Sequence, residues 1–248
     1  MNTMLPAPPT ELLAGASLFL DFDGTLVELE DRPDLVRADT ALIALTRQLG
    51  EALDGRLAIV TGRASGHILD LFGEVAFAIG GSHGVEFRWP DGRTATPELP
   101  ATLPDVIAEL HRFAEGRDGV IVETKPFGAG LHYRMAPHVE DDAHAVAAEL
   151  ARAHGLHLQP GKMMIELRAA SGDKGAAIKR LMAEPPFAGT RPVFLGDDVT
   201  DEDGFRAVAA LGGAGVLVGR ERPTSAGYRL DDVQTVRQWL VRATEALR

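Results

Sequence analysis

Asp21 and Asp23 stand two residues apart in Phe19-Leu20-Asp21-Phe22-Asp23-Gly24-Thr25, directly after an apolar run. Where a strand runs out into a loop, residues so spaced share one face, so both carboxylates can reach one reacting group. One can attack phosphorus while the other manages protons, the division of labour of covalent catalysis. Gly24 permits a tight turn, and the backbone amides of residues 22–25 can cradle phosphate oxygens. Thr25 and Thr61 offer hydroxyl donors. Lys174, in Gly172-Asp173-Lys174-Gly175 at an expected helix start, supplies a fixed positive charge. At about 4 Å from a phosphate oxygen it is worth roughly 4 kcal/mol at an effective dielectric near 20. Gly196-Asp197-Asp198-Val199-Thr200-Asp201 brings further carboxylates. Asp21, Asp23, Asp197 and Asp198 gathered in one small volume would repel one another, and a divalent cation relieves that repulsion. An oxygen-only set without nearby His or Cys favours magnesium over zinc.

These residues work together only if the fold carries them to one place. Leu18–Leu20 reads as a buried parallel strand ending at Asp21, Leu57–Val60 as a second closed by Thr61-Gly62-Arg63, and Val75–Ile79 as a third entering Gly80-Gly81-Ser82-His83-Gly84. Val193–Leu195, ending at Gly196-Asp197, and Gly215–Val218 follow as the fourth and fifth. Helices are expected over 39–53, through Ile68 and Leu69, and around Phe205–Ala210. Strands alternating with helices imply an α/β fold with a parallel sheet wound on both faces. Ligands in such sheets sit beyond the carboxyl ends of the strands, where Asp21, Thr61 and Asp197 all fall. The middle reads differently: a helix at Ile107–Phe113, a hairpin of Val120–Thr124 and Gly130–Met135, a helix over Val139–His154, then strands Leu156–Gln159 and Met163–Arg168. That α+β pattern predicts an inserted domain at about 98–170 with an open-faced antiparallel sheet, inside a core formed by 1–97 and 171–248.

The 248 residues, 45% of them hydrophobic, suffice for one large or two small domains at roughly 150 residues each. Without cysteine there is no disulfide and no thiolate chemistry. A formal net charge of −11 repels a phosphate backbone, which argues against a nucleic-acid partner. The same field repels an anionic small substrate, so a phosphate site here needs local cations or a metal. Met1–Thr10 is proline-rich and lacks the marks of a signal peptide. No apolar stretch approaches the roughly 18 residues of a transmembrane helix. The expectation is a soluble, cytoplasmic protein with no membrane partner, and a monomer by default.

Phe19-Leu20-Asp21-Phe22-Asp23-Gly24-Thr25-Leu26 resembles the first motif of the haloacid dehalogenase superfamily, and Thr61, Lys174 and Asp197-Asp198 look like its second, third and fourth. The finer resemblance is to trehalose-6-phosphate phosphatases. It rests on residues 196–203, Ser82-His83-Gly84, Val122-Glu123-Thr124-Lys125, Leu131-His132-Tyr133-Arg134 and Ile165-Glu166-Leu167-Arg168. The resemblance implies a haloacid dehalogenase-like core with a cap of the C2 type. It implies Asp21 as nucleophile and Mg2+ ligand, and Asp23 as the acid–base residue whose backbone carbonyl binds the metal. Asp197 would be the remaining carboxylate ligand, with Asp198 and Asp201 in or just behind the metal shell. Thr61 and Lys174 would hold the phosphate, with Gly24, Thr25, Gly62 and Arg63 around it. On the cap, Glu123, Lys125, His132, Arg134 and Glu166 would hydrogen-bond sugar hydroxyls from the sheet face. His83 would lie near the domain junction, a histidine bonding a loop backbone being the alternative. Two positions depart from the family pattern: Thr61 stands where serine is frequent, and Ala169 where proline is usual. A phosphatase without the synthase domain sometimes fused to such enzymes is the expectation.

The implied activity is Mg2+-dependent hydrolysis of trehalose 6-phosphate through an aspartyl phosphate. Other sugar-phosphate phosphatases, a phosphomutase and a phosphosugar-binding module remain as alternatives.

Overall fold

The computed structural model describes residues 5–30, 35–161 and 163–248, so the first four residues of the proline-rich start lie outside it. The chain divides into two compact units, Met1–Ala95 with Gly172–Arg248, and Thr96–Ser171. Along the chain run β1 (Ala16–Leu20), α1 (Thr40–Ala52), β2 (Leu57–Val60), α2 (Ser65–Phe72), β3 (Ala78–Gly81), β4 (Glu86–Arg88) and β5 (Thr94–Ala95). The second unit holds α3 (Leu103–Ala114), β6 (Ile121–Lys125), β7 (Gly128–His132), α4 (Glu140–His154), β8 (His157–Gly161) and β9 (Met164–Arg168). The first unit then resumes with α5 (Lys174–Met182), β10 (Arg191–Gly196), α6 (Glu202–Ala210), β11 (Ala214–Val218), β12 (Tyr228–Leu230) and α7 (Val233–Ala246).

In the first unit one sheet runs β12-β11-β10-β1-β2-β3-β4-β5. It is parallel from β12 to β3 and antiparallel over β3-β4-β5. Its central strands are buried on both faces, which is why they read as continuous apolar runs. Alternation then sorts their side chains. Leu18 and Leu20 of β1 join Leu49 of α1 and Trp239 and Leu240 of α7 on one face. Phe19 joins Ile178 of α5 and Phe205 of α6 on the other. Burying each such side chain stabilises by about 1.5–3 kcal/mol. Asp39, Asp173 and Asp232 cap α1, α5 and α7 by accepting from the N–H groups of Leu42, Ala176 and Thr235.

The third strand is Ala78–Gly81, not Val75–Ile79. After α2 ends at Phe72, capped by Gly73, the chain needs residues 74–77 to return to the sheet, and Val75 and Phe77 pack on the core from that connection instead of pairing.

In the second unit an antiparallel sheet, β6-β7-β9-β8, packs its Leu131, Ile165 and Leu167 against Val106 and Leu110 of α3 and Leu150 of α4. The cross-strand rows Glu123-Gly130-Glu166-Gln159 and Lys125-Gly128-Arg168-His157 therefore lie on the opposite face, away from the helices. The second hairpin strand is Gly128–His132, starting two residues and ending three residues before the expected Gly130–Met135. Tyr133 leaves the ladder to become a buried residue whose hydroxyl lies 3.2 Å from Glu140 Oε1 and 3.3 Å from His144 Nε2.

Candidate active site

β10, β1 and β2 lie side by side and end in register, Leu20 opposite both Leu195 and Ile59. The residues that follow them, Asp21, Thr61 and Asp197, accordingly emerge at one edge of the sheet. Asp21 N–H still donates to the Leu195 carbonyl at 2.9 Å, which fixes the direction in which its side chain departs. Lys174, the first residue of α5, reaches the same place. Its Nζ lies 2.6 Å from Asp21 Oδ1 and 2.6 Å from Asp201 Oδ1, with all three residues buried.

Among the described residues, Asp21, Asp197 and Asp201 each present a carboxylate oxygen within 4.8 Å of the others. Their electrostatics show how costly that gathering is. Asp21 is raised well above the usual carboxylate range, first by burial and further by the charges of Asp201 and Asp197, with Lys174 opposing. Asp197 is pushed up to about 6, again by burial first and then by Asp201. Burial works against the Lys174 charge, but Asp21 and Asp201 outweigh it and hold its pKa above the ordinary lysine value. A divalent cation between Asp21 and Asp197 would reverse the carboxylate shifts, and hard oxygen donors suit a hard cation. The donor set fits such an ion.

Gly24 is required here twice over. Its φ of +76° lies in the left-handed region, and a Cβ would come within 2.7 Å of all three terminal atoms of Asp197. Thr25 is buried, and its hydroxyl donates to Asp197 Oδ1 at 3.4 Å. The expected amide cradle is narrower than residues 22–25. Gly24 N–H donates to Val27 O and Thr25 N–H to Phe22 O, so of these four amides those of Phe22 and Asp23 are the ones with no backbone partner among the described residues.

Asp198 needs correcting as a metal ligand. It caps a short 3-10 turn, Val199–Asp201, accepts from Val199 N–H and faces solvent, while Asp201 is fully buried and accepts from Lys174 Nζ and from Asp198 N–H. One turn of helix thus swings Asp198 out and Asp201 in. Arg222 steadies this loop through the Asp198 carbonyl at 2.7 Å and an ion pair with Glu202.

Asp23 stands outside the acidic cluster. Arg63 grips it with two parallel hydrogen bonds, Nε to Oδ2 at 2.6 Å and Nη2 to Oδ1 at 2.7 Å. Thr61 is buried and its hydroxyl accepts from Arg63 N–H at 3.2 Å. His83 sits in the adjoining loop, where Ser82 (φ 49°) and His83 (φ 57°) both adopt left-handed backbone. Such residues cost about 1–3 kcal/mol each and gather at functional sites. The His83 ring lies over Gly62, 2.6 Å from where a Cβ would project, and His83 N–H donates to the Thr61 carbonyl at 2.9 Å. The loop is held from below by buried Glu86, which accepts from Ser65 N–H, Ser65 Oγ and Ser82 Oγ.

Within the second unit, the open face carries a linked set of charges. Lys125 Nζ lies 2.9 Å from Glu166 Oε2 and 3.8 Å from Glu123 Oε2, and His132 Nε2 lies 2.9 Å from Glu123 Oε2. Arg168 Nε approaches Glu166 Oε1 at 3.9 Å. Arg134 is not among them. It falls in the turn after β7 and is exposed, because the ladder ends at His132.

The family model for trehalose-phosphatase matches residues 19–234. The chain belongs to the trehalose-phosphatase family. It is 38% identical over 239 residues to the trehalose-6-phosphate phosphatase of Escherichia coli (strain K12), covering 96% of this chain and 90% of that relative. A crystal structure of a trehalose-6-phosphate phosphatase related protein superposes with a TM-score of 0.76 at 26% identity, over 92% of this chain and 97% of the other. A haloacid dehalogenase-like hydrolase from Bacteroides thetaiotaomicron, 16% identical, shares the fold at a TM-score of 0.65 over 91% and 98% of the two chains. Membership in the trehalose-phosphatase family makes the chain a phosphatase of haloacid dehalogenase-like fold. No helix among its described residues is long and apolar enough to cross a membrane.

Sequence reasoning expected Asp201 in or just behind the metal shell, and it did not single out Glu86 or Arg222. The three-residue step from Asp198 to Asp201 at a helix start was a usable signal, since a capping box pairs such positions. Glu86 and Arg222 show no recognisable local signal, because Glu86 joins nearby Ser82 to Ser65, 21 residues away, and Arg222 reaches Asp198, 24 residues away.

Proposed function

We propose that this chain hydrolyses trehalose 6-phosphate to trehalose and phosphate through an aspartyl phosphate on Asp21. The observation that carries the reading is the pairing of Asp21 with Lys174 at 2.6 Å beside Asp197, at the carboxyl edge of a parallel sheet. Asp21 attacks phosphorus as the bond to the sugar oxygen breaks, and Asp23 gives that oxygen a proton. Asp23 then takes a proton from the water that cleaves the acyl phosphate. Lys174 and the Thr61 hydroxyl offset charge on the transferring phosphoryl group. Asp21, Asp197 and the Asp23 backbone carbonyl would hold Mg2+, with Asp201 set behind them on Lys174; bound there, the ion neutralises phosphate charge and lowers the pKa of Asp21.

The sugar-reading role goes to Glu123, Lys125, His132 and Glu166 of the inserted unit. Their mutual ion pairs pre-orient donors and acceptors on one face, and a polar set of this kind rejects sugars that leave its groups unpaired. Phosphate release measured across a sugar-phosphate panel, with and without Mg2+, tests the proposal. Trehalose 6-phosphate should be strongly preferred and chelation should stop turnover. Comparable rates on glucose 6-phosphate and other monosaccharide phosphates would overturn the substrate assignment.

A further inference from the structure

The two carboxylates of the first motif are each matched to a separate cation. Lys174 holds Asp21, and Arg63 holds Asp23. The second pairing is the more directional. Arg63 engages both Asp23 oxygens at 2.6 and 2.7 Å, and a guanidinium fork bound in this way fixes the plane of a carboxylate as well as its position. Arg63 is itself held on several sides. Its guanidinium lies 5.7 Å from the centroid of the Phe22 ring, and Nη1 is 3.2 Å from His67 Nδ1 at the start of α2. Its backbone N–H donates to Thr61 Oγ1 and its carbonyl accepts from Ser82 N–H at 2.8 Å. The His67 pKa is lowered, by burial first and then by the Arg63 charge, which keeps its ring neutral and able to accept from Arg63. The Arg63 side chain is only 11% exposed, whereas that of Asp23 is 30% exposed and open to an incoming ligand.

We propose that Arg63 is a positioning residue for proton transfer: its grip sets the direction in which the Asp23 carboxyl group points, and it serves that step rather than phosphate binding. The inference rests on the aspartyl-phosphate reading given above. Each Asp23 oxygen keeps a second lone-pair direction beyond the one Arg63 uses, so the grip orients the group without blocking it. In the first step the Asp23 proton passes to the sugar oxygen as its bond to phosphorus breaks and the Asp21–phosphorus bond forms. In the second, Asp23 recovers a proton from the attacking water.

Leaving-group chemistry separates this role from phosphate binding. A sugar alkoxide needs a proton to depart, whereas 4-nitrophenolate is a stable anion and leaves unaided. Because kcat/KM reports events up to loss of the leaving group, Arg63→Ala should lower kcat/KM for trehalose 6-phosphate about 10- to 100-fold, part of what general acid catalysis supplies. For 4-nitrophenyl phosphate the change should stay under about threefold. Arg63→Lys keeps the charge but cannot make the fork, so it should show the same selective loss in a variant whose circular dichroism matches the parent. Equal losses on both esters in Arg63→Lys, or no loss on either, would overturn the assignment. Asp23→Asn serves as the reference. If it loses only the sugar ester while the Arg63 variants lose nothing, the positioning role alone falls. If Asp23→Asn spares both esters, the acid–base reading of Asp23 falls with it.

Discussion

Replacing Lys174 by methionine removes a buried cation that touches two carboxylates while keeping most of the side-chain volume. At 2.6 Å each Lys174–carboxylate pair is worth about 6 kcal/mol at an effective dielectric near 20. Desolvation of the buried charges offsets most of this, and breaking a buried pair by removing one partner typically costs about 3–5 kcal/mol. The loss should depend on pH, with a definite sign. Without Lys174, the pKa values of Asp21 and Asp197, already raised by burial and mutual repulsion, rise further. The folded variant then binds more protons than the unfolded chain, so its stability falls as pH rises from the unfolded carboxylate range near 4 through those raised values. Urea unfolding of parent and Lys174→Met at pH 5.5 and pH 8 measures both effects. The expected result is a penalty of about 3–5 kcal/mol at pH 8 that shrinks at pH 5.5, and that Mg2+ reduces more in the variant than in the parent. A penalty below about 1 kcal/mol at pH 8, or one that grows on acidification, would refute the charge-cluster account.

Gly24→Ala should cost about 1–3 kcal/mol from its left-handed backbone alone, seen in thermal unfolding. It should also weaken Mg2+ binding in calorimetric titration, because the new Cβ displaces Asp197. Asp39→Ala should cost about 0.5–2 kcal/mol through loss of the α1 cap, measured by urea unfolding at pH 7. The Asp39 pKa is lowered, first by the hydrogen bond from Arg237 and then by that from Leu42. Its contribution is therefore present above about pH 4 and fades as pH falls through the folded value, so parent and variant should converge in acid.

The site's catalytic edge was readable in sequence because it depends on local pattern. An apolar run that stops at an acid or a threonine is what a buried parallel strand leaves behind, and Asp21, Thr61 and Asp197 all follow such runs. Distinctions made by a single turn were not readable. Asp198 and Asp201 are equally acidic in the sequence; their three-residue spacing fits a capping box, but only the 3-10 turn between them decides which enters the cluster. Arg134 looked like a strand residue because Tyr133 beside it is apolar enough to extend the β pattern. Tyr133 is buried for a different reason, under α4 with its hydroxyl against Glu140. The two antiparallel strands at one end of the sheet, β4 and β5, escaped notice because Glu86, Arg88 and Thr94 are polar. The grip of Arg63 on Asp23 spans 40 residues and leaves no local trace.

Glu86 gives the rim of the sheet an unexpected importance. Margins of this kind usually absorb sequence drift and small insertions with little effect. Here a rim residue anchors both Ser65, which opens the helix carrying His67, and Ser82, which opens the loop carrying His83. Trimming or re-registering the β4–β5 hairpin would therefore disturb the neighbourhood of Thr61 and Arg63 from outside. Anyone shortening this protein, or grafting its core onto another scaffold, would need to keep that peripheral hairpin intact.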